Sequence, residues 1–129
     1  MLIASVAFPE LKVCKGIEYM HGLIALANQI SEKFRRDCEE NQVPFSHIQA
    51  VQGDILEYDW SDADIVFANS PLFTPELLNG MTDKLVHLKK GSRVISLQDL
   101  PPRDFLKRYA SIRVMFSWGM HFVNYYTIV

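Results

Sequence analysis

Strand-like and helix-like patterns alternate along this chain, and the alternation limits its possible folds more than any other feature. Short β-prone apolar runs cover residues 12–18, 48–51 and 65–68, and a further one lies in "KKGSRVISL" after a turn at Gly91. Between the first two runs, residues 21–39 have the apolar spacing of an amphipathic helix. Strands that alternate with helices predict an α/β fold whose sheet is mainly parallel and covered by helices on both faces.

The two ends of the chain complete this pattern. Residues 2–8 are apolar and compatible with a helix that Pro9 stops, and residues 103–109 are predicted to form a helical turn. Strand-like runs at 112–116 and 122–129 flank Ser117-Trp118-Gly119, which predicts an antiparallel hairpin at the C-terminal edge of the sheet. With 129 residues in all, we expect one domain spanning residues 1–129.

Composition excludes several classes of protein. The hydrophobic fraction of 49% and the charged fraction of 22% are those of a folded globular chain, and no apolar run is long enough to span a bilayer. A net charge of -2 gives no overall cationic field of the kind that a dedicated nucleic-acid-binding domain has. The four histidines and two cysteines lack zinc spacing, so we expect no metal site, and reduced thiols in a cytoplasmic or nuclear protein.

The segment "KGIEYMHGLIALANQI" reads like the second βα unit of a nucleotide-binding α/β domain. Glu18 ends the strand, where a carboxylate can accept hydrogen bonds from both hydroxyls of a ribose. A surface glutamate that supports the next helix N-terminus is the alternative. Only ten residues precede Leu11, and the six glycines of the chain never form the glycine-rich loop of a first unit.

Four stretches give the chain a family resemblance. It resembles the Rossmann-like S-adenosylmethionine-dependent methyltransferases, and within them the histone-lysine methyltransferases of the disruptor of telomeric silencing family. The stretches are "GIEYMHGLIALANQISEKFR", "QGDILEYDWSDADIVFANSPLFTPELLNGMTDKLVHLKKGSRVIS", "PP" at 101–102 and "FSWGMHFVNYYTI". The ordered elements look like strands two to seven of that fold, so we expect a sheet that lacks the first strand.

The resemblance implies a cofactor site for S-adenosyl-L-methionine. Glu18 would hold the ribose, Asp54 would accept from the adenine amino group, and Ile55 would pack on the adenine ring. An aspartate that bonds the backbone of its own turn is the alternative for Asp54.

The resemblance also implies a methyl-transfer site. "NSPLFTPE" keeps Asn69, Phe73, Pro75 and Glu76 at the spacing of the family's Asn-Asn-Phe-Ala-Phe-Gly-Pro-Glu, and departs from it at 70–72. Asn69 would contact the cofactor and orient the attacking amine, and Phe73 would help to shape the site.

A substrate channel would have Pro71 and Trp118 as walls. A proline-stiffened loop is the alternative for residues 69–73. Core packing is the alternative for Trp118, Tyr125 and Tyr126.

The missing first strand and loop lead to two expectations. Residues 2–8 would be the helix that follows the glycine-rich loop, so the strands on either side of the missing one would lack a partner, and this chain alone would hold the cofactor weakly. The chain would then be a piece of a longer methyltransferase, or a homodimer or a rearranged strand would close the sheet.

We therefore expect transfer of a methyl group from S-adenosylmethionine to a protein lysine, with a histone as the substrate partner. A non-catalytic methyltransferase-like interaction module is the alternative, and a dehydrogenase-type dinucleotide domain is a third interpretation that the closing hairpin disfavours. Contact with nucleic acid is a minor interpretation of the basic clusters, which are Lys89, Lys90, Arg103, Lys107 and Arg108.

Overall fold

A computed structural model describes all residues from 1 to 129. The elements in chain order are α1 (Leu2–Ala7), β1 (Val13–Glu18), α2 (His21–Glu40), β2 (His47–Gln52), β3 (Ile65–Ala68), α3 (Pro75–Lys84), a 3-10 turn (Leu85–His87), β4 (Arg93–Ser96), β5 (Leu106–Phe116) and β6 (Gly119–Ile128). They form two compact units, Met1–Tyr58 and Asp59–Val129.

The first unit is a parallel pair of strands, β1 and β2, with helices α1 and α2. Helix α2 packs on β2 and buries Ile24 and Cys38, whereas its other large apolar residues Leu23, Leu26 and Ile30 are about half exposed. The ring of Phe34 meets Phe45 edge-on, with the centroids 6.4 Å apart. No helix in the chain combines the length and the apolar character needed to cross a bilayer.

The second unit contains a four-stranded sheet in the order β3-β4-β6-β5. Strands β3 and β4 are parallel, whereas β6 runs antiparallel to both β4 and β5. The core combines buried side chains of the helical segment with those of the central strands, namely Leu78, Met81, Leu85, Val94, Tyr126 and Ile128. The predicted α/β class, the parallel pairs and the C-terminal hairpin are confirmed.

The predicted helical turn over residues 103–109 is wrong. Residues 106–116 form the strand β5, and Arg103 bridges to Leu106 just before it. The local pattern around Leu106-Lys107-Arg108 suits a helix, but β6 offers these residues a continuous antiparallel partner, interrupted only by an irregularity between Arg108 and Ala110. Pairing with a distant strand therefore overrides local propensity here.

Strands β1 and β3 each have a neighbouring strand on one side only. In β3 the carbonyls of Asp64 and Ala68 accept from the amides of Arg93 and Leu97, at 3.0 and 3.4 Å. In a parallel pair the intervening residues, Ile65 and Phe67, direct their backbone groups to the opposite edge. The two strands that the sequence predicts to lack a partner are therefore edge strands, as β2 and β5 also are.

We propose that residues 1–129 nevertheless fold as one domain. A two-stranded sheet in a unit as small as Met1–Tyr58 has a small core and is marginally stable by itself. We expect one thermal transition. Tryptophan fluorescence reports only on the second unit, which holds Trp60 and Trp118, whereas helical circular dichroism reports mainly on the longest helix, α2. Coincident midpoints are expected, and two separated midpoints would contradict a single domain.

Candidate functional site

Two acidic turns lie side by side at the carboxyl ends of β1 and β2. Glu18 Oε1 accepts from the amide of Met20 at 2.8 Å, and Asp54 Oδ1 accepts from the amide of Leu56, also at 2.8 Å. The amide of Gly53 donates to the carbonyl of Glu18 at 3.0 Å, which holds the two turns together. The structure thus brings together two of the predicted cofactor residues that are far apart in the sequence.

Each carboxylate bonds its own turn through one oxygen. Asp54 therefore does bond the backbone of its own turn, as the alternative interpretation of this residue predicts. The second oxygens, Oδ2 of Asp54 and Oε2 of Glu18, remain as further acceptors. Both side chains are half-buried, and Ile55, the predicted ring contact, is half-buried next to Asp54. A pair of acceptors beside an apolar residue fits the hydroxyl and amino donors of a nucleoside, which is the adenosine half of S-adenosylmethionine.

Sequence reasoning missed two features of this edge. Nδ1 of His21 lies 3.2 Å from Oε1 of Gln52, which links the start of α2 to the end of β2. Gly53 permits a close approach, since a Cβ there would lie 3.3 Å from Cδ2 of Tyr58. These residues lie in stretches that carry the family resemblance, but only the folded arrangement reveals their contacts.

The loop after β3 is tied to the end of β4 by buried polar groups. Oγ of Ser70 lies 3.0 Å from Oγ of Ser96, and both side chains are fully buried. Nε2 of Gln98 donates to the carbonyl of Ser70 and, at 3.4 Å, to that of Phe73. Ser96 and Gln98 were missed from the sequence because they lie far along the chain from Ser70 and form no motif with it.

This tie determines what the loop displays. Asn69 and Pro71 are exposed, Leu72 is 93% exposed, and Phe73 is half-buried. Thr74 follows as the N-cap of α3, its Oγ1 accepting from the amide of Leu77 at 3.3 Å. The structure therefore places Asn69, Pro71 and Phe73 on one short, anchored loop.

Trp118 lies in the turn of the β5–β6 hairpin. Its ring stacks on Phe116 with the centroids 4.9 Å apart, yet 56% of the residue is exposed. His121 meets the Phe116 ring edge-on at 6.1 Å. The packing interpretation is confirmed for Tyr126, which is buried and accepts from the amide of Leu100 at 3.0 Å, whereas a channel wall at Trp118 stays a prediction.

The resolved pKa shifts belong to helix and turn termini. Hydrogen bonds from its own backbone amide and from the Thr74 side chain lower the pKa of Glu76, and the backbone amide of Ser61 lowers that of Asp59. A carboxyl group whose pKa is lowered by folding stabilises the folded state at pH values above its unfolded-state pKa. This contribution disappears as the pH falls through its folded-state pKa. These groups stabilise local turns next to the core rather than perform acid-base chemistry.

Most of the basic clusters form surface ion pairs. Lys89 pairs with Asp64, Arg103 with Asp83 and Arg108 with Asp99, at 3.4, 2.7 and 2.6 Å. Such partly exposed pairs contribute little to stability, and they reduce the positive charge available to a phosphate backbone.

The parallel strand pairs, the helices and the closing hairpin define a Rossmann-like α/β protein. A structure of a proposed methylase from Haemophilus influenzae matches 93% of this chain and 68% of its own, with a TM-score of 0.58 and 14% sequence identity, which shows a common fold. The model of the family described as histone methylation protein DOT1 matches residues 1–121. The chain belongs to this family.

Two curated relatives are histone-lysine N-methyltransferases specific for lysine 79 of histone H3. The one from Aspergillus fumigatus is 28% identical over 92 residues, and the one from Emericella nidulans is 27% identical over 92 residues. Each match covers 67% of this chain and 18% of the relative, so the chain corresponds to a small part of their length.

The Gln98 anchor can be tested by Gln98→Ala, which leaves the carbonyls of Ser70 and Phe73 without this donor. We expect the free energy of unfolding to fall by about 0.5–1.5 kcal/mol, measured by urea denaturation, because the loop loses this side-chain hydrogen bond while the carbonyl of Ser70 keeps the amide of Phe73 at 3.1 Å. The matched control is Gln29→Ala on the exposed surface of α2, for which we expect a change within about 0.5 kcal/mol. Equal effects of the two variants would contradict the anchoring role.

Proposed function

We propose that this chain is part of a nuclear S-adenosylmethionine-dependent methyltransferase that modifies a lysine of a histone. Its membership of the DOT1 family and the H3 lysine-79 specificity of its relatives support this proposal. The single structural observation that carries it is the pair of carboxylates, Glu18 and Asp54, held together at the ends of two parallel strands with one oxygen of each available.

The first unit would hold the nucleoside of the cofactor. Glu18 Oε2 would accept from the ribose hydroxyls, Asp54 Oδ2 would accept from the adenine amino group, and Ile55 would pack against the ring. When bound, the cofactor supplies an activated methyl group on a sulfonium.

The loop of the second unit would position the amine that attacks. The lysine nitrogen must be deprotonated and aligned, which is a task of orientation rather than of acid-base catalysis. Asn69 can accept a hydrogen bond from the amine, and the buried Ser70–Ser96 contact with the Gln98 anchor keeps its backbone in place. Phe73 would shape the site, and Pro71 and Trp118 would flank the incoming side chain.

Binding of S-adenosylhomocysteine tests the nucleoside site. We expect weak binding by isothermal titration calorimetry, and a further loss of about tenfold or more in Glu18→Ala and in Asp54→Ala, because each removes charged acceptors. Glu32→Ala, on the exposed face of α2, is the control and should bind like the wild type.

Two results would count against the nucleoside site. Unchanged affinity in both carboxylate variants would contradict the assignment of these residues. No binding by the wild-type chain would favour the non-catalytic interaction module.

Methyl transfer tests Asn69. In a radiometric assay on histone octamers or nucleosomes, we expect Asn69→Ala to lower the rate about a hundredfold, because an amine that is misplaced by an ångström reacts far more slowly. The control is Asn28→Ala, which is exposed on α2. A wild-type rate in Asn69→Ala, at unchanged S-adenosylhomocysteine affinity, would contradict its positioning role.

A further inference from the structure

We propose that one face of the β5–β6 hairpin docks an acidic, amphipathic segment of another protein. We call this face, formed by Arg113, Met115, Met120 and Phe122, the hairpin face. It lies outside the loops proposed for cofactor and amine, and the proposal does not depend on methyl transfer.

Strand register places these four side chains on one side of the hairpin. Met115 is opposite Met120 and Arg113 is opposite Phe122, and residues two apart along a strand share a face. The apolar members are unusually open, with exposed fractions of 67% for Met115, 44% for Met120 and 59% for Phe122. Three neighbouring large apolar side chains form a contiguous patch, which is typical of an interaction surface rather than of a scattered exposed residue.

A depression of about 440 Å³ continues this patch towards the sheet. Besides Met120 and Phe122, its lining includes Leu97, Ser111, Asn124 and the ion pair of Arg108 with Asp99. Asn124 is buried and its Oδ1 accepts from Oγ of Ser111 at 2.7 Å, so the polar part of the depression is ordered. The surface therefore offers both an apolar wall and a recess into which a partner side chain can insert.

The charge of the hairpin selects the kind of partner. Residues 105–129 contain Lys107, Arg108 and Arg113 and no acidic residue. Arg108 already pairs with Asp99 at 2.6 Å, whereas the guanidinium of Arg113 has no ion pair. A carboxylate beside Phe122 would therefore gain a charged partner, and a basic segment would be repelled.

The mixture of side chains favours a protein over a nucleic acid. Two methionines and a phenylalanine suit apolar side chains of varied shape, because methionine adapts its conformation to its partner. Affinity for nucleic acid comes largely from several cations along a phosphate backbone, and this face has one unpaired arginine.

The test uses a fluorescein-labelled peptide of Phe, Leu and Glu with one apolar and one acidic face, and measures fluorescence anisotropy with the 129-residue chain. We expect saturable binding, weakened about tenfold or more by Phe122→Ser, because such central aromatic residues dominate interface affinity. Ile112→Ser is the matched control: Ile112 is comparably exposed but lies on the opposite side of the hairpin, and the variant should bind like the wild type.

The charge is tested by reversal. Arg113→Glu should weaken binding of the acidic peptide. The same variant should bind a peptide in which every Glu is replaced by Lys more tightly than the wild type does. Lys107→Glu, on the opposite side, should do neither, and circular dichroism checks that each variant is folded. Failure of the wild type to bind the acidic peptide, equal affinity in Phe122→Ser, or stronger binding of a labelled DNA duplex would each overturn the proposal.

Discussion

The backbone ladder of β4 supports most of the second unit. This strand pairs in parallel with β3 and antiparallel with β6, so it joins the loop that carries Asn69 to the hairpin that carries Trp118. Val94 and Ser96 are fully buried in it. Because the hydroxyl of Ser96 also reaches Ser70, one short strand determines both the sheet order and the conformation of the loop.

The two acidic residues of the first unit have a structural role and, in our proposal, a binding role. Glu18 and Asp54 each cap the turn that follows a parallel strand, and each does so with a single oxygen. Turn formation therefore orients the carboxylates before any ligand arrives. Such preorganisation lowers the entropic cost of binding, which matters in a chain without a glycine-rich loop to hold the rest of the cofactor.

Exposed large apolar side chains occur along the whole chain, and those of the second unit include residues of a strand, a loop and the hairpin. Ile65 and Phe67 lie on the open-edged strand β3, Leu72 projects from the anchored loop, and Met115 and Phe122 lie on the hairpin. An open strand edge can bond the backbone of another strand, whereas the partner that we propose for the hairpin face would supply apolar side chains and a negative charge. These physical demands differ, so different partners are expected to satisfy them.

The sequence by itself determined the elements that have a strong local signal. The amphipathic helix α2, the apolar strand β3 and the tight turn near Gly119 follow from spacing and residue type. So do the ends of the strands where Glu18 and Asp54 lie. Tertiary structure decided the rest. Residues 106–109 belong to a strand because β6 is available to pair with them. The Ser70–Ser96 and Gly53–Glu18 contacts exist because parallel pairing places residues that are distant in the sequence next to each other. Local propensity depends on a few neighbouring residues, whereas these contacts depend on register between strands, which no short stretch of sequence contains.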